Sequence, residues 1–60
     1  MQGIKLTETN GKVTHFINGE YHYENDNITI NEYDVDDYGG EHLINVHHIP
    51  ENEVKEIKYV

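Results

Sequence analysis

The chain has no cysteine, no serine, no arginine and no alanine, and only one proline. Without cysteine there can be no disulfide and no thiolate zinc site. Without serine or cysteine there is no Ser-His-Asp arrangement and no nucleophile elbow. Long hydrophobic runs are missing too. Apolar stretches stop at two or three residues, as in Leu43-Ile44 and Phe16-Ile17, so nothing is long enough to span a bilayer and no signal-peptide core is visible. A cysteine-free chain suits the cytoplasm, which is the expected location. At 60 residues the chain forms at most one domain, residues 1–60, and buries only about 60% of the surface its unfolded form exposes. The supports open to it are a compact β-barrel core, a partner subunit, or a metal held by histidine and carboxylate. So small a chain has little room for a concave, water-excluding pocket, so it is read as not an enzyme and no cofactor is expected.

What is abundant is negative charge. The formal net charge is -8, and its distribution says more than its sum. Lys12 and Lys55 are consecutive basic residues, and between them lie ten carboxylates: Glu20, Glu24, Asp26, Glu32, Asp34, Asp36, Asp37, Glu41, Glu51 and Glu53. Direct binding to a nucleic-acid backbone needs lysine and arginine to displace counterions, and this composition argues against it. A basic protein partner is the natural complement. The competing explanation is that acidity only keeps a small protein soluble.

Short runs of alternating apolar and polar residues carry the strand period. Around Asn10-Gly11 the pattern predicts a hairpin with strands near 2–8 and 12–18 and a type I′ turn. Val13, His15 and Ile17 fall on one face of the second strand, Thr14 and Phe16 on the other. A second Asn-Gly, at 18–19, is expected to turn the chain into "EYHYE". Farther on, Ile28 and Ile30 share a phase that slips before Tyr33 and Val35, which predicts a bulge near Asn31-Glu32. "EHLINVHHIP" reads as a strand near 41–48 that Pro50 ends. "PENEV" reads as one short helical or 3₁₀ turn, and the chain closes on a last strand with Val54, Ile57 and Tyr59 in the core. The expected class is all-β: a small antiparallel barrel or meander of four to five strands, with one short turn of helix before the last.

Five short strands with a single turn before the last resemble the small SH3-like and Sm-like barrels. The tail "HHIPENEVKEIKYV" carries most of that likeness, since many such barrels place a 3₁₀ turn between their last two strands. The resemblance implies a binding fold whose members take RNA, peptides or proteins. The RNA binders among them carry basic grooves, which this chain lacks.

The densest stretch is "EYDVDDYGGEH", residues 32–42, with five carboxylates, a Gly-Gly pair and a histidine. As a calcium loop started at Asp34 it would place Asp36 and Gly39 correctly, but Tyr38 and Asn45 fall where oxygen ligands are required. No metal site is therefore expected, and the stretch reads as a hairpin connection. The five histidines do not assemble a convincing ligand set. His47 and His48 are adjacent and point to opposite faces of a strand, and His15 with His22 and Glu24 would need the second Asn-Gly to be a turn. Tyrosine offers a large rigid surface with a polar tip and suits interfaces. Tyr21 or Tyr23, with Tyr59, is expected in the structure's support, and Tyr33 and Tyr38 among acids on a surface that meets lysine and arginine.

The expected function is a non-enzymatic acidic module that docks on a basic site of another protein through Glu32, Tyr33, Asp34, Asp36, Asp37, Tyr38 and Glu41. A nucleic-acid-binding enzyme fits as partner, because spaced carboxylates imitate backbone phosphates. In size, charge and lack of catalytic groups the chain is similar to phage-encoded DNA-mimic inhibitors of host polymerases, restriction systems or CRISPR effectors. Two other expectations compete. One is a structural protein forming a homodimer or larger homo-oligomer through exposed strand edges; the other is a pH- or metal-responsive module using the histidines.

Overall fold

The computed structural model describes residues 2–60. It is all-β. The strands β1 (Gln2–Glu8), β2 (Val13–Glu24), β3 (Asn27–Val35), β4 (Glu41–Pro50) and β5 (Val54–Tyr59) are joined by short loops, with one 3₁₀ turn, η1 (Glu51–Glu53), before β5. They form a single antiparallel sheet in the order β4-β3-β2-β1-β5. The first four strands are a meander and β5 returns to the far side of β1. The sheet is open, with β4 and β5 as its edges, so no barrel is closed.

The hairpin turns follow from φ requirements. At the first, Gly11 N–H donates to the Glu8 carbonyl at 2.9 Å and Glu8 N–H to the Lys12 carbonyl at 2.9 Å. This is a three-residue loop, a type I turn closed by Gly11 at φ 90°, rather than the expected type I′ turn. Only one residue of this loop needs positive φ, and glycine supplies it. The two-residue turn of the primed kind lies instead at Asn25-Asp26, with φ of 48° and 64°, between the paired Glu24 and Asn27.

The expected turn at Asn18-Gly19 does not form. Both residues lie inside the twelve-residue β2. Glycine is required at 19 for space: a Cβ there would sit 2.6 Å from the Asn31 carbonyl oxygen and 3.3 Å from Ile4 Cδ1. His15 and His22 therefore share one strand and cannot meet across a hairpin. The register of β2 on β1 slips between the pairs Ile4–Phe16 and Gln2–Gly19, so β2 carries an extra residue there. The slip expected in β3 occurs at Glu32/Tyr33, but the extra residue is in the partner strand. Glu32 pairs Asn45 while Tyr33 pairs Leu43, leaving Ile44 bulged.

The core is Ile4, Leu6, Phe16, Ile28 and Ile30, with Tyr21, Ile49, Val54 and Ile57 packed against it. Of the two faces of early β2, the one with Phe16 is therefore the inner face. The sheet curls enough to bring the His47 ring 5.0 Å from that of Phe16. The crossing from β4 to β5 is pinned at both ends, by Glu51 N–H on the Asp26 carbonyl at 2.9 Å and Thr9 N–H on the Glu53 carbonyl at 3.0 Å. Val54 and Ile57 pack as expected. Tyr59 lies at the rim, its ring stacked on Tyr21 at 4.6 Å and its hydroxyl accepting the Tyr21 N–H at 3.1 Å. The surface of 4165 Å² is close to the roughly 4,000 Å² usual for a 7.0 kDa monomer, so the apolar side chains it leaves outside do not come from a loose fold.

Candidate interaction surface

The acidic stretch is the end of the β3–β4 hairpin. Its loop repeats the first one. Gly39 N–H donates to the Asp36 carbonyl at 3.1 Å, Asp36 N–H to the Gly40 carbonyl at 2.9 Å, and Gly39 takes the positive φ, 81°. The Asp36 side chain ties this loop together. Its Oδ1 accepts the N–H groups of Tyr38 at 2.9 Å and Gly40 at 2.8 Å, and its Oδ2 lies 2.8 Å from His42 Nε2. Donation by His42, then by the two backbone groups, holds the Asp36 carboxyl below its ordinary range. Asp36 thus holds the loop in place.

The other candidates divide among three places. Asp37 and Tyr38 are at the tip, Tyr38 with 96% of its surface exposed. Glu32 is half-buried beside Gly19 and Asn45, its direct neighbours across β2 and β4. Its Oε1 accepts from Asn45 Nδ2 at 3.3 Å and lies 3.2 Å from His47 Nε2. Tyr33 donates its hydroxyl to Glu20 Oε1 at 3.1 Å, and Asn31 Nδ2 donates to the same oxygen at 3.3 Å. The hydrogen bond to Glu20, then burial, then the charges of Glu20 and Glu41 raise the Tyr33 pKa. Glu41 accepts from Asn18 Nδ2 at 3.0 Å, and Asp34 accepts the N–H of its own neighbour Val35 at 3.0 Å.

The structure therefore brings Tyr33 and Glu41 together and adds Glu20 and Asn18 to them, which sequence reasoning did not assign, whereas Asp34, paired with His42, projects from the other face of β3. Glu20 had no local signal, since only the pairing of β2 with β3 places it beside Asn31. The aliphatic residues Ile17, Val35, Leu43 and Ile44 were also missed. Each is exposed, against an alternation that suggested half of them would be inside.

Strand order sorts the charge. All four lysines, Lys5, Lys12, Lys55 and Lys58, belong to β1, β5 or the first loop, with Lys5 and Lys58 paired directly across β1 and β5. The half built from late β2, β3 and β4 has none. Its carboxylates have histidine neighbours instead: His42, His47 and His22 lie 2.8, 3.2 and 3.3 Å from Asp36, Glu32 and Glu24. Among the described residues no group of three or more histidine, cysteine, aspartate or glutamate side chains is placed to hold a metal ion, and no helix is long and apolar enough to cross a membrane. Comparison with protein-family models, with curated proteins and with solved structures finds no match to this chain.

Proposed function

We propose that the chain is a non-enzymatic binding module that docks its lysine-free half on a basic site of another protein. The observation that carries this is the sorting of charge by strand order, with every lysine on the β1–β5 side and the β3–β4 hairpin bearing Glu32, Asp34, Asp36, Asp37 and Glu41. A charge spread only for solubility has no need of such a division. The partner class that fits best is a nucleic-acid-binding enzyme, whose phosphate-binding groups meet spaced carboxylates as they would a backbone. This is the mode expected of a phage-type DNA-mimic inhibitor.

The test is kinetic. A tagged chain captures its partner, and association is followed at increasing salt. Charge-steered docking loses on-rate as salt shortens the Debye length to about 10 Å at 0.1 M. Replacing Asp34 and Asp37 together by Asn should slow association several-fold and flatten its salt dependence. Asp36 is left intact because it holds the loop. Unchanged kinetics in the double variant would remove this face from the interaction.

One observation favours a second reading, assembly with copies of itself. The edge strand β4 leaves Leu43, Ile44 and Val46 about half exposed, and open edges of this kind pair readily. Sedimentation of the isolated chain decides it.

A further inference from the structure

Single exposed aliphatic side chains are ordinary on a protein surface, but here several meet. Ile17, Val35 and Ile44 are 93%, 50% and 52% exposed, and with Tyr33 they line one groove of about 220 Å³ whose remaining walls are Asn18, Glu32 and Asp34. Two of them stand where a strand breaks register. Ile17 lies in the segment where β2 carries its extra residue against β1, and Ile44 is the extra residue of β4. Bulges re-aim side chains that alternation would send elsewhere, and these two direct aliphatic groups toward the same place. Small-molecule sites usually enclose about 300–1,000 Å³. This groove is smaller and suits one large apolar side chain. No lysine lines it, and the charged residues along it are Glu32 and Asp34, both acidic.

We infer that the groove of Ile17, Tyr33, Val35 and Ile44 seats one apolar side chain of a partner segment that carries lysine or arginine on either side of that anchor, the cations meeting Asp34 and Glu32. The inference rests on the docking reading above and adds the partner's local chemistry to it. Charge selects this occupant over a second copy, since two copies each bear a net charge of -8 and would bring like charges together around the groove.

Two synthetic peptides separate the parts of the inference: pentalysine, and Lys-Lys-Leu-Lys-Lys. Both are titrated into the isotope-labelled chain at low salt and followed by amide chemical shifts. The leucine-centred peptide should bind about tenfold more tightly, the gain expected from burying one leucine side chain, with the largest shifts at Ile17, Tyr33, Val35 and Ile44. Ile17→Ser and Ile44→Ser should each remove most of that gain and leave pentalysine binding unchanged, while Asp34→Asn should weaken both peptides. Equal affinity for the two peptides overturns the groove and leaves the acidic docking surface standing. Binding of neither overturns both, because pentalysine reads charge alone. A dimer that sediments without peptide and dissociates on Ile17→Ser assigns the groove to a second copy and overturns the inference. The comparison of peptides on the unaltered chain decides the matter even if a serine variant fails to fold.

Discussion

Asp36 and Asp37 are neighbours with identical side chains, yet they have different tasks. Asp37 is at the tip of the β3–β4 loop, whereas both oxygens of Asp36 are engaged by Tyr38, Gly40 and His42. The pH dependence follows from the direction of the Asp36 shift. Its folded pKa is depressed below the ordinary 3.8, so the stability it contributes is present above that value and is lost as pH falls through the lower folded value. Melting temperature should therefore decline on acidification below about pH 4. In Asp36→Asn that part of the decline should shrink, and the melting temperature at pH 7 should already be lower because His42 loses an ionised partner. Thermal melts from pH 2 to 7 on both proteins check this. An identical acid profile in the variant would show that the Asp36 contacts contribute nothing to stability.

At the scale of elements, β2 is the strand on which the sheet depends. Its first half pairs with β1 and its second with β3, and Gly19 lies where the two pairings meet. Gly19→Ala would force a methyl group against the Asn31 carbonyl, at 2.6 Å. Backbone cannot yield there as a flexible side chain could, so the variant should lose about 1–3 kcal/mol, the range for overpacking, as read by urea unfolding. Wild-type stability would mean that the strands are not this close. The last strand is held by its rim as well as by Val54 and Ile57. Tyr59→Ala removes the 4.6 Å stack on Tyr21, and aromatic pairs contribute about 0.5–1.5 kcal/mol beyond their buried area. A loss near 1 kcal/mol lowers the melting temperature by about 4–8 °C in a domain of this size. Tyr38→Phe, at an exposed tip with no side-chain partner among the described residues, should leave it unchanged.

At the scale of the molecule, carboxylates concentrated on one half repel one another, and that repulsion opposes folding. Salt screens it, so raising sodium chloride from about 0.01 to 0.5 M should raise the melting temperature, the Debye length falling from about 30 Å to below 10 Å. Replacing Asp34 and Asp37 together by Asn should raise the low-salt melting temperature, and the gain should fade at high salt. A lower melting temperature in that variant would mean that these two carboxylates stabilise the hairpin end, and would blur the kinetic test that relies on them.

The sequence by itself determined the class of fold and most of the element boundaries. Alternation of apolar residues is a local property, Asn10-Gly11 and Gly39-Gly40 mark the places where the chain turns, and Pro50 ends its strand because it has no N–H to donate. It determined, too, that nearly all the negative charge lies between Lys12 and Lys55. Strand order decided the rest. Asn18-Gly19 has the composition of a turn, but the crowding that fixes Gly19 in a strand comes from Asn31 and Ile4, both distant in sequence. The bulges at β2 and at Ile44 arise from registers between strands, and no single strand records its register. Glu20 meets Tyr33, and Ile17 lines one groove with Ile44, only because β2, β3 and β4 lie side by side. Contacts between residues far apart in the chain depend on how the strands pair, which the alternation within any one strand leaves open.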